Sequence, residues 1–131
     1  MKTDGLNELT RRIIGAVFSV HSALGSGFLE KVYENALALE LKLAGMKFET
    51  QCPVKVAYRG ETVGDFVADV LVEDTVLVEL KAVKALSEAH SAQCVNYIKA
   101  TGLPVCLLVN FGEEKAKIRR FINPALRLSL D

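Results

Sequence analysis

The stretch "DVLVEDTVLVELKAV", Asp69 to Val83, sets a carboxylate and an ammonium, Glu79 and Lys81, inside a run of valine and leucine. Valine-rich alternation reads as strand, and strand side chains change face at every residue. Glu79 and Lys81 therefore share one face while Val78, Leu80 and Ala82 take the other. The loop before them decides what joins that face. A two-residue turn at Glu73 and Asp74 sets Asp69 opposite Val78. A three-residue loop, Glu73 to Thr75, sets Asp69 opposite Glu79 and gathers Val70, Val72, Val76, Val78 and Leu80 on one apolar face. The second register is expected because it places no carboxylate in the core.

Two carboxylates opposed across a strand pair lie about 5 Å apart, which costs free energy unless a cation or a proton intervenes. Hard oxygen ligands with no histidine or cysteine beside them suit Mg²⁺ or Mn²⁺ rather than zinc. Lys81, one pair further along, is then positioned to stabilise charge developing on a phosphate. An ExK pattern alone ordinarily marks a solvated strand face; Asp69 in register is what makes this one a candidate site.

The flanking sequence supplies the remaining layers. From about Asn7 to Leu24, apolar residues at Leu9, Ile13, Val17, Val20 and Leu24 recur at three and four, and Gly25 stops the helix. A second helix, about Phe28 to Ala44, carries Leu29, Val32, Ala36, Leu39 and Leu43 on a similar stripe, and Gly45 closes it. Three antiparallel strands follow at about 47 to 58, 62 to 72 and 76 to 83, joined by tight turns. "SEAHSAQCVNYIKATG" opens on a capping pattern and gives a third helix. "LPVCLLVNFG", too apolar for an edge, reads as a buried strand, and "KAKIRRFI" as the last. The fold class is α/β. A mixed sheet, made of an antiparallel three-strand meander, a crossover helix and further strands, is flanked by helices.

With 131 residues, one domain spanning 1–131 is expected, with a core that needs no staples. Half the residues are hydrophobic, which leaves room for a homo-oligomer interface. Sixteen basic residues balance sixteen acidic ones, so any polyanion site must be local. Cys52, Cys94 and Cys106 are odd in number and widely spaced, which indicates neither a disulfide framework nor a zinc knuckle and fits a reducing cytoplasm. "RRIIGAVFSVHSALG" imitates a signal peptide only weakly, with Glu8 before it and His21 ending the apolar run. No run approaches the roughly 20 apolar residues of a membrane span.

Taken together, Asp69 with Glu79-Leu80-Lys81, "GFLEKVY" with Gly27, Glu30 and Tyr33, and "AQCVNYIKATG" with Gln93 and Tyr97 form a combined pattern. It resembles the GxxExxY proteins of the PD-(D/E)XK nuclease superfamily over about residues 9 to 124. The resemblance implies a PD-(D/E)XK nuclease-like core and a metal-dependent phosphodiesterase that hydrolyses nucleic acid, DNA ahead of RNA, through a metal-activated water. By position it makes Asp69 and Glu79 metal ligands, Lys81 the catalytic lysine and Glu30 an acidic residue reaching the site from the preceding helix. It carries Mg²⁺ or Mn²⁺ as the cofactor. Val67 and Ala68 depart from the family pattern, which has a basic residue two before the aspartate and a proline directly before it. The competing reading is a catalytically silent nuclease-fold module that binds nucleic acid or protein.

The other candidates are read from their positions. Gln93 and Tyr97, at i and i+4, share a helical face and are expected to meet a phosphate or a base, or else to dock the helix on the sheet. Tyr33 is counted with them as a substrate contact through the resemblance. Glu34 is expected at the surface, His21 packed at a helix end, and His90 exposed. Lys115, Lys117, Arg119 and Arg120 form the one basic cluster and read as a solvated strand edge.

Overall fold

In the computed structural model, residues 3–126 are described, so the ends of the expected 1–131 domain lie outside the described residues. The elements run α1 (Thr3–Leu24), α2 (Glu30–Leu43), β1 (Phe48–Tyr58), β2 (Glu61–Val72), β3 (Val76–Lys81), α3 (Glu88–Thr101), β4 (Val105–Asn110) and β5 (Lys117–Ile122). The order and type of every element agree with the sequence reading. The five strands form one sheet in the order β1-β2-β3-β4-β5. All neighbours are antiparallel except β3 and β4, which α3 connects in parallel.

Two apolar layers hold the sheet. On one face α1 and α2 bring Leu9, Ile13, Val17, Leu37 and Leu41 onto Val70, Val72, Val76, Val78 and Leu80. On the other, Cys94, Tyr97 and Ile98 of α3 cover Val54, Ala68, Leu77, Cys106 and Leu108. Strand β4 is buried along its whole length, because helices cover both its faces and strands both its edges. Among the described residues, no helix is long and apolar enough to cross a membrane.

The second helix corrects the sequence reading. Its buried face is Tyr33, Glu34, Leu37 and Leu41, whereas Leu29 is 80% exposed, Leu39 57% and Leu43 74%. Leucine and alanine occur on several sides of this helix, so two stripes satisfy the 3.6-residue period. Tyr33 selects between them, because its ring stacks on Phe111 with centroids 4.4 Å apart and planes 5° apart, deep in the core.

Helix α3 opens on the expected cap, formed by Ser87 with His90 as its partner. The Ser87 hydroxyl accepts from the His90 N–H at 3.3 Å and His90 Nδ1 accepts from the Ser87 N–H at 3.1 Å. His90 is therefore half-buried and structural, not freely exposed. His21 packs at the end of α1 as expected, 8% exposed and bonded through Nε2 to the Glu113 carbonyl at 2.9 Å.

Candidate active site

The loop after β2 has three residues, and the ladder pairs Val72 with Val76, Leu71 with Leu77 and Val70 with Val78. One step further along that register Asp69 faces Glu79. There the ladder stops, and side chains take over the backbone groups. Glu79 Oε1 accepts from the Asp69 N–H at 2.9 Å, and Asp69 Oδ2 accepts from the Leu80 N–H at 2.7 Å. The two carboxylates thus tie the strands together where their backbones no longer pair, satisfying donors that burial would otherwise penalise. Asp69 Oδ1 and Glu79 Oε2 accept no hydrogen bond among those described.

Strict alternation fails at this point. Phe48, Val70 and Val72 face α1 and α2, while Cys52, Val54 and Ala68 face α3, so β1 and β2 both change face between these positions. The change centres on Gln51, the one residue between Thr50 and Cys52 that pairs with nothing across the ladder. Its φ of 55° lies in a region that a non-glycine residue rarely adopts. The kink turns the Gln51 side chain toward α2, where Nε2 donates to Glu34 Oε1 at 2.8 Å.

Glu34 was expected at the surface and is buried, 5% exposed. Lys31 Nζ lies 2.6 Å from its other oxygen, and these two partners are what make its burial tolerable. Glu30, one turn earlier, is exposed yet close enough that its charge, with that of Glu34, acts on Asp69. Tyr33 does not face this cluster. It is wholly buried, and its hydroxyl donates to the Gly25 carbonyl at 2.5 Å and accepts from the Phe28 N–H at 3.2 Å. Its position clamps the 25–28 loop, where Gly27 has φ 116°. The Gly27, Glu30 and Tyr33 spacing therefore builds the turn that delivers Glu30, and leaves no Tyr33 surface for a substrate.

Burial drives the electrostatics. Glu79 is 3% exposed, and loss of water, followed by repulsion from Asp69, pushes its carboxyl up to about 8. Burial also raises Asp69, opposed by its bond from Leu80 and reinforced by Glu34 and Glu30. Lys81 lowers both carboxyls, yet forms no ion pair or hydrogen bond among those described. From α3, Gln93 Nε2 donates to the Tyr97 hydroxyl at 3.1 Å. Tyr97 is raised by burial and then by Glu79, so its hydroxyl lies within electrostatic reach of that carboxylate. Gln93 Oε1 is buried without a partner among the described residues.

The far end of β3 is held by a residue the sequence reading passed over. Asn110 Oδ1 accepts from the Val83 and Gly112 N–H groups, both at 3.0 Å. Its Nδ2 donates to the Val83 carbonyl at 2.9 Å and to Glu113 at 2.8 Å. The Phe111 N–H bonds the Lys81 carbonyl at 2.8 Å, so Lys81 rises from a fixed backbone. Gly112 permits this close approach, since a Cβ there would lie 2.2 Å from the Val83 carbonyl oxygen. Gly112→Ala is expected to cost about 2 kcal/mol or more in urea unfolding. A midpoint equal to that of the wild type would show that this contact does not hold β3.

Among the described residues no three histidine, cysteine, aspartate or glutamate side chains are grouped as a closed metal cage. The donor set is instead two carboxylates with one oxygen each to spare. That fits a hard divalent ion which keeps most of its water and takes further oxygens from substrate phosphate.

This sheet and this pair of strands define a nuclease-type α/β core. Residues 7–121 match the PD-(D/E)XK nuclease superfamily, and the chain belongs to that superfamily. No curated protein sequence matches it. Among solved structures it is similar to SSO0001, with a TM-score of 0.56 and 17% identity over 95% of this chain and 65% of that one. It is also similar to an alkaline exonuclease, LHK-Exo, from Laribacter hongkongensis, with a TM-score of 0.48 and 16% identity over 76% of this chain and 59% of that one. The chain thus spans about three-fifths of the length of these proteins.

Proposed function

We propose that the protein hydrolyses phosphodiester bonds of nucleic acid, with Asp69 and Glu79 holding Mg²⁺ or Mn²⁺ and Lys81 serving as the catalytic cation. The observation that carries this reading is the interlocked pair Asp69 and Glu79. Each carboxylate spends one oxygen on the opposing strand and, among the described residues, keeps the other free beside a lysine that forms no ion pair or hydrogen bond.

A divalent ion bound there supplies Lewis-acid activation of water and phosphate. The remaining work falls to the chain. The hydrogen bonds from Asp69 and Leu80 hold both carboxylates in place before any substrate arrives, which spares reorganisation during the reaction. Lys81 offers its ammonium to the phosphate oxygens as charge builds on them. Glu30, at the first turn of α2, contributes a third carboxylate through a bridging water. Gln93 and Tyr97 approach from α3 to contact the substrate.

Calorimetric titration with Mn²⁺ tests the ligand assignment. Weak binding is expected without nucleic acid, and Asp69→Ala is expected to abolish it. Equal heats from wild type and variant would remove Asp69 from the metal site.

A further inference from the structure

The geometry points to a recess beside the carboxylates that accepts one unpaired nucleobase, so that the enzyme selects single-stranded or frayed nucleic acid. The inference rests on the hydrolase reading and deepens it by naming the form of the substrate.

Beyond Lys81 the sheet narrows to two strands, because β3 ends while β1 and β2 continue to the turn at Arg59 and Gly60. Helix α3 lies across this projecting hairpin and leaves a groove of about 770 Å³, within the range of small-molecule sites. Its chemistry is mixed in a particular way. Phe66 and Tyr97 present rings 6.1 Å apart at a tilt of 46°. Lys55 and Lys99 carry positive charge from opposite walls, and Gln93 and Asn96 add amides.

Each part matches one part of a nucleotide. Phe66 is 47% exposed, an open aromatic face of the kind on which single-stranded bases stack. Its ring occupies space that Gly64 leaves free, since a Cβ at Gly64 would lie 3.0 Å from Phe66 Cε2. The two lysines suit flanking phosphates. Gln93 Oε1, a buried acceptor with no donor among the described residues, suits an exocyclic amine or ring N–H on a base edge, which would also relieve the cost of leaving it unpaired.

Position completes the argument. Phe66 precedes Asp69 by three residues on one strand, roughly 10 Å, a separation of one or two nucleotides along an extended strand. Gln93 and Tyr97 both line the groove and bond each other, and Tyr97 also feels the charges of Glu79 and Asp69. A base inside an intact duplex is stacked and paired and cannot enter such a recess without being extruded.

The test is binding of a short fluorescein-labelled DNA single strand, and of the blunt duplex made from it, followed by anisotropy with EDTA present. The single strand is expected to bind at least about tenfold tighter than the duplex. Phe66→Ala and Lys99→Glu, both at exposed positions and checked by thermal melts, are each expected to weaken single-strand binding about tenfold and to change duplex binding less than about twofold. Equal affinity for the two forms, or single-strand binding untouched by both variants, would overturn the inference. The readout is independent of turnover. Single-strand binding lost in the variants of a protein that cleaves nothing supports the recess and removes the hydrolase reading. Mn²⁺-dependent cleavage that ignores both substitutions and strandedness overturns the recess and leaves that reading intact.

Discussion

Lys81→Ala is expected to lower Mn²⁺-dependent cleavage by about a hundredfold to a thousandfold while leaving Mn²⁺ binding and folding nearly intact. On the proposed reading the lysine acts on phosphate charge and does not ligate the ion, so its removal should appear in kcat rather than in the calorimetric isotherm. The fold should tolerate the change because the Lys81 ammonium makes no ion pair or hydrogen bond among those described. Its backbone carbonyl, which does carry structure, is retained through the Phe111 N–H. The assay is cleavage of single-stranded, double-stranded and branched DNA and of RNA, with thermal melts run in parallel. Cleavage that survives in Lys81→Ala would place the chemistry elsewhere. No cleavage by either protein, with a variant destabilised because Asp69 and Glu79 lose their nearby cation, would favour the silent binding module instead.

The second large effect concerns Glu79 and pH. In the metal-free protein its carboxyl is pushed up to about 8 from 4.5 by burial and by Asp69, so the folded state holds a proton that the unfolded state has released. The contribution is fully present below the unfolded value and is lost as pH rises through the folded one. Metal-free stability is therefore expected to fall between about pH 5 and pH 8, by on the order of 3 kcal/mol. Glu79→Gln should flatten that slope and make the protein more stable than wild type at pH 8. The amide oxygen can still accept from the Asp69 N–H, and no charge is buried. The same variant should lose Mn²⁺ binding. In wild type, metal should displace the proton, so Mn²⁺ binding at pH 7 should release close to one proton, read from calorimetry in buffers of different ionisation enthalpy. Urea unfolding of wild type and Glu79→Gln across pH decides the first part. A slope that persists in the variant would assign the proton to another group.

The clustering of carboxylates explains why the metal-free site is electrostatically costly. Asp69 is pressed by Glu34 and Glu30 as well as by its own burial. On the proposed reading, a cation bound there would relieve at one place what the fold concentrates. The Lys31 contact to Glu34 offsets part of the excess.

Much of this was legible in the residues themselves. Period-two alternation through Val70, Val72, Val76, Val78 and Leu80 permits only a three-residue loop without burying charge in the helix-covered core, and the ladder has that register. Local rules suffice there because strand side chains can occupy only two faces. The capping serine, the glycines that end α1, α2 and α3, and the apolar run Val105 to Val109 of β4 were likewise decided by short-range chemistry.

Contacts distant in sequence decided the rest. Two stripes on α2 fit the helical period, and only the stacking of Tyr33 on Phe111 shows which one is buried. Glu34 and Gln51 lie seventeen positions apart, and neither carries a local sign of burial or of positive φ. The Asn110 clamp joins residues twenty-seven positions apart. The groove beside Phe66 exists because α3 crosses a hairpin that outruns its neighbour. Sequence alone determined which residues alternate, turn and cap, since those preferences belong to the chain within a few residues. Tertiary structure decided which polar groups share one buried volume, since desolvation and Coulomb forces depend on distance in space.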